Sequence, residues 1–182
     1  NEEGVVTLGV FGAFRPYPVL VGVFAVTVVA MHGAIYLYLK TEDELQAKMR
    51  PLMWRTFFAF AGMYVATTVV TLTQFPRVTD NFAHAPLAWV VVLLNVLAIA
   101  NIPRAIHRGI EAYAFVSSCC TIAALTFLVA MALFPALLPS DGHALDIYNA
   151  ASSLGTLRRM AIIAAIGMPL VATYTGTVYW VF

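Results

Sequence analysis

A chain of 182 residues in which 62% are hydrophobic and only 10% are Asp, Glu, Lys or Arg, with a mean hydropathy of +0.86, is not a water-soluble globular domain, where those fractions are roughly one half and one quarter. Ten Lys and Arg against nine Asp and Glu leave a net charge of +1. The basic surface that would neutralise phosphates is missing, which excludes DNA and RNA as partners.

A membrane-spanning helix needs about 20 predominantly apolar residues. The stretches free of Asp, Glu, Lys and Arg predict five such helices, over 16–39, 56–76, 86–103, 112–138 and 160–182. The third charge-free run begins at Asn81, but His84 and Pro86 leave 87–102 as its apolar core. All charged residues lie between or at the ends of these stretches, as expected when a charge at the bilayer centre costs several kcal/mol. The fold class predicted is all-α: a polytopic membrane protein of one domain, 1–182, with a four-helix bundle and one peripheral helix. Because the chain opens on Asn1 without a basic segment ahead of its first long apolar run, it is expected to be processed or to be a piece of something longer.

The connections carry their own signals. In the first, Thr41 with Glu44 three residues on is a capping-box pattern, followed by Leu45, Met49, Leu52 and Met53 at helical spacing, which predicts a separate interfacial cytoplasmic helix over 41–54. In the fourth, Pro139, Ser140, Asp141 and Gly142 form a turn signal, and Asn149, Ser152, Ser153 and Thr156 offer caps for the last span. Pro169 is expected to kink that span, and Tyr174, Tyr179 and Trp180 read as an interfacial aromatic belt. Lys40, Lys48, Arg50, Arg55, Arg104 and Arg108 flank the first and third connections, against Arg15, Arg77, Arg158 and Arg159 on the other side. That bias predicts an N-terminus outside and a C-terminus in the cytoplasm.

Few residues in this chain point to chemistry. His32 is the one His, Asp, Glu, Lys or Arg in a span interior, a position that by default marks a functional candidate. Beside Gly33 and Ala34, a neutral imidazole suits a hydrogen bond across a close helix contact, so packing is preferred over ligation or proton relay. A haem needs axial His or Met at matched depth on facing helices. His84, His107 and His143 fall in or near connections, and Met31, Met63, Met131 and Met168 read as filler. Ser117, Ser118, Thr121 and Thr126 are expected to bond back to their own helix or to pack closely. Cys119 and Cys120 are neighbours inside an apolar run and say little about compartment. No nucleophile motif, phosphate loop or metal-spaced Cys and His cluster is present. No catalytic, cofactor-binding or metal-ligating residue is therefore assigned.

Several strings in one order resemble a known family, the second, non-haem subunit of cytochrome bd-type quinol oxidases. Phe14-Arg15-Pro16-Tyr17-Pro18-Val19-Leu20 resembles its Asn-Pro-Phe opening of a span. Met31-His32-Gly33-Ala34-Ile35-Tyr36-Leu37, with Leu39-Lys40-Thr41 and Glu44-Leu45, resembles its His-Gly-Ala and Lys-Thr-x-x-Glu-Leu signature. Ala114-Phe115-Val116-Ser117-Ser118, then Met131-Ala132-Leu133-Phe134-Pro135 with Pro139-Ser140, is similar to a later span and its Phe-Pro turn. Ile147-Tyr148-Asn149-Ala150-Ala151-Ser152-Ser153, Thr156-Leu157, and Pro169-Leu170-Val171 with Tyr174-Thr175 resemble its final loop and helix.

The resemblance runs from about Phe11 to Phe182 and covers the C-terminal half of the family's chain. The N-terminal half, with its Gly-Phe-Asp and Trp-Asp-Gly-Asn strings and the acidic residues of its membrane proton paths, has no counterpart here. The resemblance implies a subunit of a terminal oxidase of the bacterial or archaeal cytoplasmic membrane, which oxidises quinol and reduces oxygen to water. Haems b and d, or b alone, would be held by subunit I, and none by this chain. Its implied role is to stabilise subunit I, shield the haem region from lipid, and line access routes for oxygen or protons. Membrane lipid, small accessory subunits and bound quinone complete the implied partners. Two competing readings are half of a small multi-pass transporter and a structural subunit of another respiratory complex. The first expects more buried polar groups than His32, Asn95 and the Pro169 kink supply.

Overall fold

Proline marks where three of the six described helices begin. A proline at the first helical position loses nothing, because its missing N–H would be unpaired there, and its ring pushes the preceding residue out of the helical region. Arg15, Phe75 and Ala85 are accordingly extended or irregular (φ, ψ of −64°, 152°; −126°, 80°; −126°, 76°), and each is followed by the proline that opens a helix. In the computed structural model, which describes residues 15–138 and 145–181, this gives α1 (Pro16–Lys40), α2 (Asp43–Gln74), α3 (Pro76–His84), α4 (Pro86–His107), α5 (Glu111–Leu133) and α6 (Leu154–Val181). Two short antiparallel strands, β1 (Ala136–Leu138) and β2 (Leu145–Asp146), join α5 to α6. Five of the helices, all but α3, are long and apolar enough to cross a membrane. At 1.5 Å per residue they are about 33 to 48 Å long against a hydrocarbon core of about 30 Å. The protein is an all-α polytopic membrane protein.

The connections depart from the sequence expectations. No separate helix occupies 41–54: α2 runs unbroken for 32 residues through Pro51. Its early part is held by tertiary contacts, with Met53 fully buried and Gln46 Nε2 donating to the Tyr38 carbonyl at 3.3 Å and to Glu111 Oε1 at 3.4 Å. The capping box is not formed either. The N-cap of α2 is Glu42, without a side-chain bond, while Thr41 Oγ1 donates back to the Leu37 carbonyl (2.8 Å) and Glu44 pairs with Lys48 (2.7 Å). Reversal within two residues is achieved by Asp43 at φ 51°. α5 ends at Leu133 rather than at 138, because Pro135 cannot continue a helix and the chain turns into β1. The predicted turn over 139–142 and His143 lie outside the described residues. Of the four cap candidates for α6, Ser153 is the one whose Oγ accepts a first-turn N–H, that of Thr156 at 3.4 Å. α6 runs through Pro169, and Thr173 Oγ1 donates to the Pro169 carbonyl at 2.8 Å.

The helices fall into two units, α1 to α5 in one and β1, β2 and α6 in the other. In the first, α1 pairs with α2, α4 with α5, and α1 packs on α5, so that α1, α2, α4 and α5 form a bundle with the short α3 against α5. The core is one stripe per helix at spacings of three and four: Met31, Ala34 and Ile35; Met53, Phe57 and Phe60; Ile102, Ala105 and Ile106; and Ala114. The opposite faces are equally apolar and exposed, as at Val29, Phe58 and Leu93, as suits a surface covered by lipid or by another membrane helix. Asn81 of α3 fastens the end of α5, its Nδ2 reaching the Phe134 carbonyl at 2.6 Å and those of Met131 and Ala132 at 3.2 Å. The turn from α4 to α5 satisfies its last carbonyls similarly: Gly109, at φ 67°, donates to Ile106 and Ile110 to Ala105. Only glycine adopts that conformation without cost.

With lipid outside, stability rests on packing rather than on the removal of apolar surface from water. Phe60, fully buried, and Phe58, 64% exposed, separate the two effects. Phe60→Ala is expected to destabilise the purified protein by on the order of 3 kcal/mol, and Phe58→Ala to leave the denaturation midpoint in detergent at the parent value.

Candidate functional site

Inside the bundle the apolar core is interrupted by a seam of polar side chains. Ser117, Ser118 and Thr121 of α5 and Asn95 of α4 are buried, as is Thr67 of α2. Asn95 is there because it lies on the inner heptad line of α4, between Ala88 and Ile102, both buried. His32 of α1 faces the seam. Its Nδ1 lies 2.8 Å from Ser118 Oγ, and its ring stacks on Phe115 with centroids 5.1 Å apart. Ser118 has one hydroxyl hydrogen, which goes to the Phe115 carbonyl at 2.7 Å. With that hydrogen on Phe115, Ser118 Oγ accepts from His32 Nδ1.

A second contact joins α4 to α5 beside the first: Asn101 Nδ2 donates to Ser117 Oγ at 2.7 Å, while Thr121 Oγ1 donates to the Ser117 carbonyl at 2.9 Å. Deeper in the bundle, Asn95 Nδ2 points at the Tyr64 hydroxyl of α2 at 3.4 Å. At the opposite end from Glu111, the Tyr17 hydroxyl and Thr71 Oγ1 are 3.0 Å apart and Thr71 donates to the Thr67 carbonyl at 2.7 Å. The seam thus touches all four helices of the bundle. Where such a contact is shielded from water, the worth of a satisfied pair and the cost of an unsatisfied one both rise.

The predicted candidates are distributed as follows. His32 meets Ser118 rather than a second histidine or a methionine ligand across the bundle, and His107 sits at the last turn of α4. Ser118, Thr121 and Thr126 bond back to their own helix as expected, whereas Ser117 Oγ accepts from a neighbouring helix. Cys119 and Cys120 are free thiols and exposed, on the side of α5 turned away from the seam. Among the described residues no group of three or more His, Cys, Asp or Glu is arranged to hold a metal ion. Of the small residues beside His32, Ala34 is buried in the core of this chain and is not open to a partner helix. A Cβ added at Gly22, Gly33 or Gly167 would meet no atom within 4 Å. The sequence pattern does not single out Tyr64, Thr67 or Asn101. Their signal lies in the register of α2 and α4, since Tyr64 follows the buried Phe60 by one turn.

The ends of the bundle differ in their numbers of Lys and Arg. The bond from Gln46 to Glu111 brings the connection between α1 and α2 beside the start of α5, so Lys40, Lys48, Arg50, Arg55, Arg104 and Arg108 flank turns at one end. Arg15 opens α1 at the other.

Compared with known proteins, the chain matches the family model for cytochrome bd terminal oxidase subunit II over residues 2–182. It is similar to the cytochrome bd-I ubiquinol oxidase subunit 2 of Escherichia coli (strain K12), 26% identical over 199 aligned residues, covering 93% of this chain and 52% of that protein. It is also similar to the probable cytochrome oxidase subunit 2 of Haemophilus influenzae, 26% identical over 198 residues, covering 91% and 51%. The chain spans about half the length of the curated relatives it matches. With its model matched from residue 2 to the last residue, this chain belongs to the cytochrome bd terminal oxidase subunit II family.

Proposed function

We propose that this chain is a non-haem helical component of a terminal quinol oxidase in the bacterial or archaeal cytoplasmic membrane, and that it acts by packing against and stabilising the haem-bearing subunit I. Family membership over residues 2–182 carries the reading, and it does not favour the transporter alternative. The interior of the bundle supports the assignment of the haems to the partner. A pair of axial ligands needs two His or Met side chains converging from facing helices. Here the His32 ring is turned by its bond to Ser118 and stacked on Phe115, and the buried positions of α4 and α5 are Ala, Ile, Asn, Ser and Thr. The chain's own residues supply shape, not electron transfer. Quinol oxidation, oxygen reduction and the haems b and d, or b alone, belong to the assembly in this reading, as do lipid, accessory subunits and bound quinone.

The same reading puts the basic end of the bundle in the cytoplasm, since short basic loops are retained there. Residues 43–54, the projecting start of α2, then lie on the cytoplasmic side. The N-terminus faces out, and five crossings return the C-terminus to the cytoplasm. Assembly with subunit I uses small residues on faces this chain leaves open, among them Gly33, where an added Cβ meets no atom of the chain itself within 4 Å.

Three outcomes test this reading. A reporter inserted at Gly109 is expected to be active only in the cytoplasmic form; activity only in the exported form would reverse the topology. His32→Gln, which keeps a donor for Ser118, is expected to leave the haem spectrum and quinol oxidase turnover of the assembled complex at the parent level, and loss of a haem band would make His32 a ligand. Gly33→Leu is expected to lower the yield of complex containing subunit I by roughly tenfold, equivalent to about 1.4 kcal/mol, while Lys48→Ala leaves it unchanged. Activity would fall in step with lost subunit I. Purification of this chain alone with stoichiometric haem would contradict the assignment as a whole.

A further inference from the structure

Where the start of α1 meets the end of α2, the chain forms an open groove of about 630 Å³, lined by Arg15, Tyr17 and Leu20 on one side and Val70, Gln74 and Phe75 on the other. Its floor is held in place. Thr71 Oγ1 spends its hydrogen on the Thr67 carbonyl (2.7 Å), so the Tyr17 hydroxyl, 3.0 Å away, donates to Thr71, and the Tyr17 and Phe75 rings pack with centroids 4.5 Å apart. The rim carries a cation. Arg15, the residue before α1, makes no side-chain cap bond, and the ion pair among the described residues is Lys48 with Glu44, which leaves the exposed Arg15 guanidinium unpaired beside Gln74. The walls change character with depth. α1 has 25 residues, about 37 Å against a hydrocarbon core of about 30 Å, so Arg15 stands at the level of the lipid headgroups. Leu20 lies about 7.5 Å further in along α1, and Val70 about 6 Å in from Gln74 along α2, among the acyl chains.

We propose that this groove binds one phospholipid, with its phosphate on the Arg15 guanidinium and an acyl chain along Leu20 and Val70. Charge selects the phosphate: a guanidinium without an ion pair in the described chain offers a planar fork that matches two phosphate oxygens, and basic pockets at the ends of membrane helices are where lipid headgroups are held. The order of the lining selects a lipid over a free anion. Rim and walls run from cationic to apolar in the direction, and at the depth, in which a phospholipid presents its phosphate and its chains. A free phosphate would satisfy Arg15 and leave the apolar walls uncovered, and an uncharged apolar molecule would cover the walls and leave the cation unpaired. The volume falls within the roughly 300 to 1,000 Å³ of sites that take small molecules. Because the bond from Tyr17 to Thr71 fixes the floor beforehand, binding has little of the chain left to order. This proposal does not depend on the oxidase assignment, because it rests on α1 and α2 alone.

The test is native mass spectrometry of the purified protein, with whatever subunits accompany it, stripped of lipid and titrated with phosphatidylglycerol or with a diacylglycerol of the same chains, which lacks the phosphate. One phosphatidylglycerol per chain is expected to bind ahead of the rest. Arg15→Gln removes a side chain that bonds to nothing in the described chain, so the fold is kept, and it is expected to raise the dissociation constant of that lipid about tenfold, as loss of a charge-assisted bond does. Leu20→Trp, which fills the groove and keeps the cation, is expected to weaken binding as well, and Lys48→Gln to leave it unchanged. Equal binding by the parent and Arg15→Gln, the behaviour of lipid that merely surrounds the protein, would overturn the proposal. So would diacylglycerol held as tightly as phosphatidylglycerol, or a density map of the parent with protein or a quinone in the groove in place of a phospholipid.

Discussion

In the hydrocarbon layer a backbone or side-chain polar group has no water to turn to, and every part of this structure follows from where such groups find partners. Helices satisfy their own backbone except at the ends, so the ends hold most of the specific chemistry. Pro16, Pro76 and Pro86 remove one unpaired donor each from a helix start. Gly109 folds the last carbonyls of α4 into the turn, and the Asn81 amide gathers the last carbonyls of α5 from outside the helix. Prolines within helices run against this pattern. Pro51, Pro103 and Pro169 each lack the N–H that would bond the carbonyl four residues back.

The same constraint explains a core that is polar where a soluble bundle would be apolar. Outer faces carry Val, Leu and Phe because lipid is as apolar as they are, so removing them from the surroundings contributes little, and cohesion must come from close contacts and hydrogen bonds between helices. His32 with Ser118, Asn101 with Ser117 and Asn95 with Tyr64 tie α1 to α5, α4 to α5 and α4 to α2. The aromatic packing of Phe24, Phe60 and Tyr64 lies between them, with centroids about 6 Å apart. A seam of this kind fixes rotation of each helix about its axis, which uniform apolar stripes leave loosely determined. For a subunit proposed to present a fixed surface to a partner, defined rotation is the property that matters. His32 contributes to it by spending its Nδ1 hydrogen on a contact between helices.

How much of this is legible in the sequence depends on whether a feature is set by local composition or by register between helices. The five stretches long and apolar enough to cross a membrane, the Ser153 cap and the back-bonding of Thr121 and Thr126 are consequences of residues near one another in the chain, and they can be read directly. So can the family, because its strings are local too. The capping box at Thr41 and Glu44 fails as a signal because two local solutions compete for one threonine, and bonding back to Leu37 prevails. The separate interfacial helix over 41–54 fails because a charged, amphipathic segment ahead of a span can continue into it, and only the burial of Met53 and the bonds of Gln46 decide that it does.

The sequence by itself determined that this is a multi-pass helical membrane protein, which stretches are apolar enough to cross, and to which family it belongs, because hydropathy and short ordered motifs do not depend on how helices face one another. Tertiary structure alone decided which polar residues meet. Asn95 and Tyr64 are 31 residues apart in the chain, and His32 and Ser118 are 86 apart. Their convergence depends on helix rotation and depth, quantities that a period of 3.6 residues constrains within one helix and leaves undetermined between two. It likewise decided that Ala34 is interior while Gly33, its neighbour, looks out on open space. Adjacent residues on a helix point about 100° apart, and only the position of the other helices says which of the two is inside.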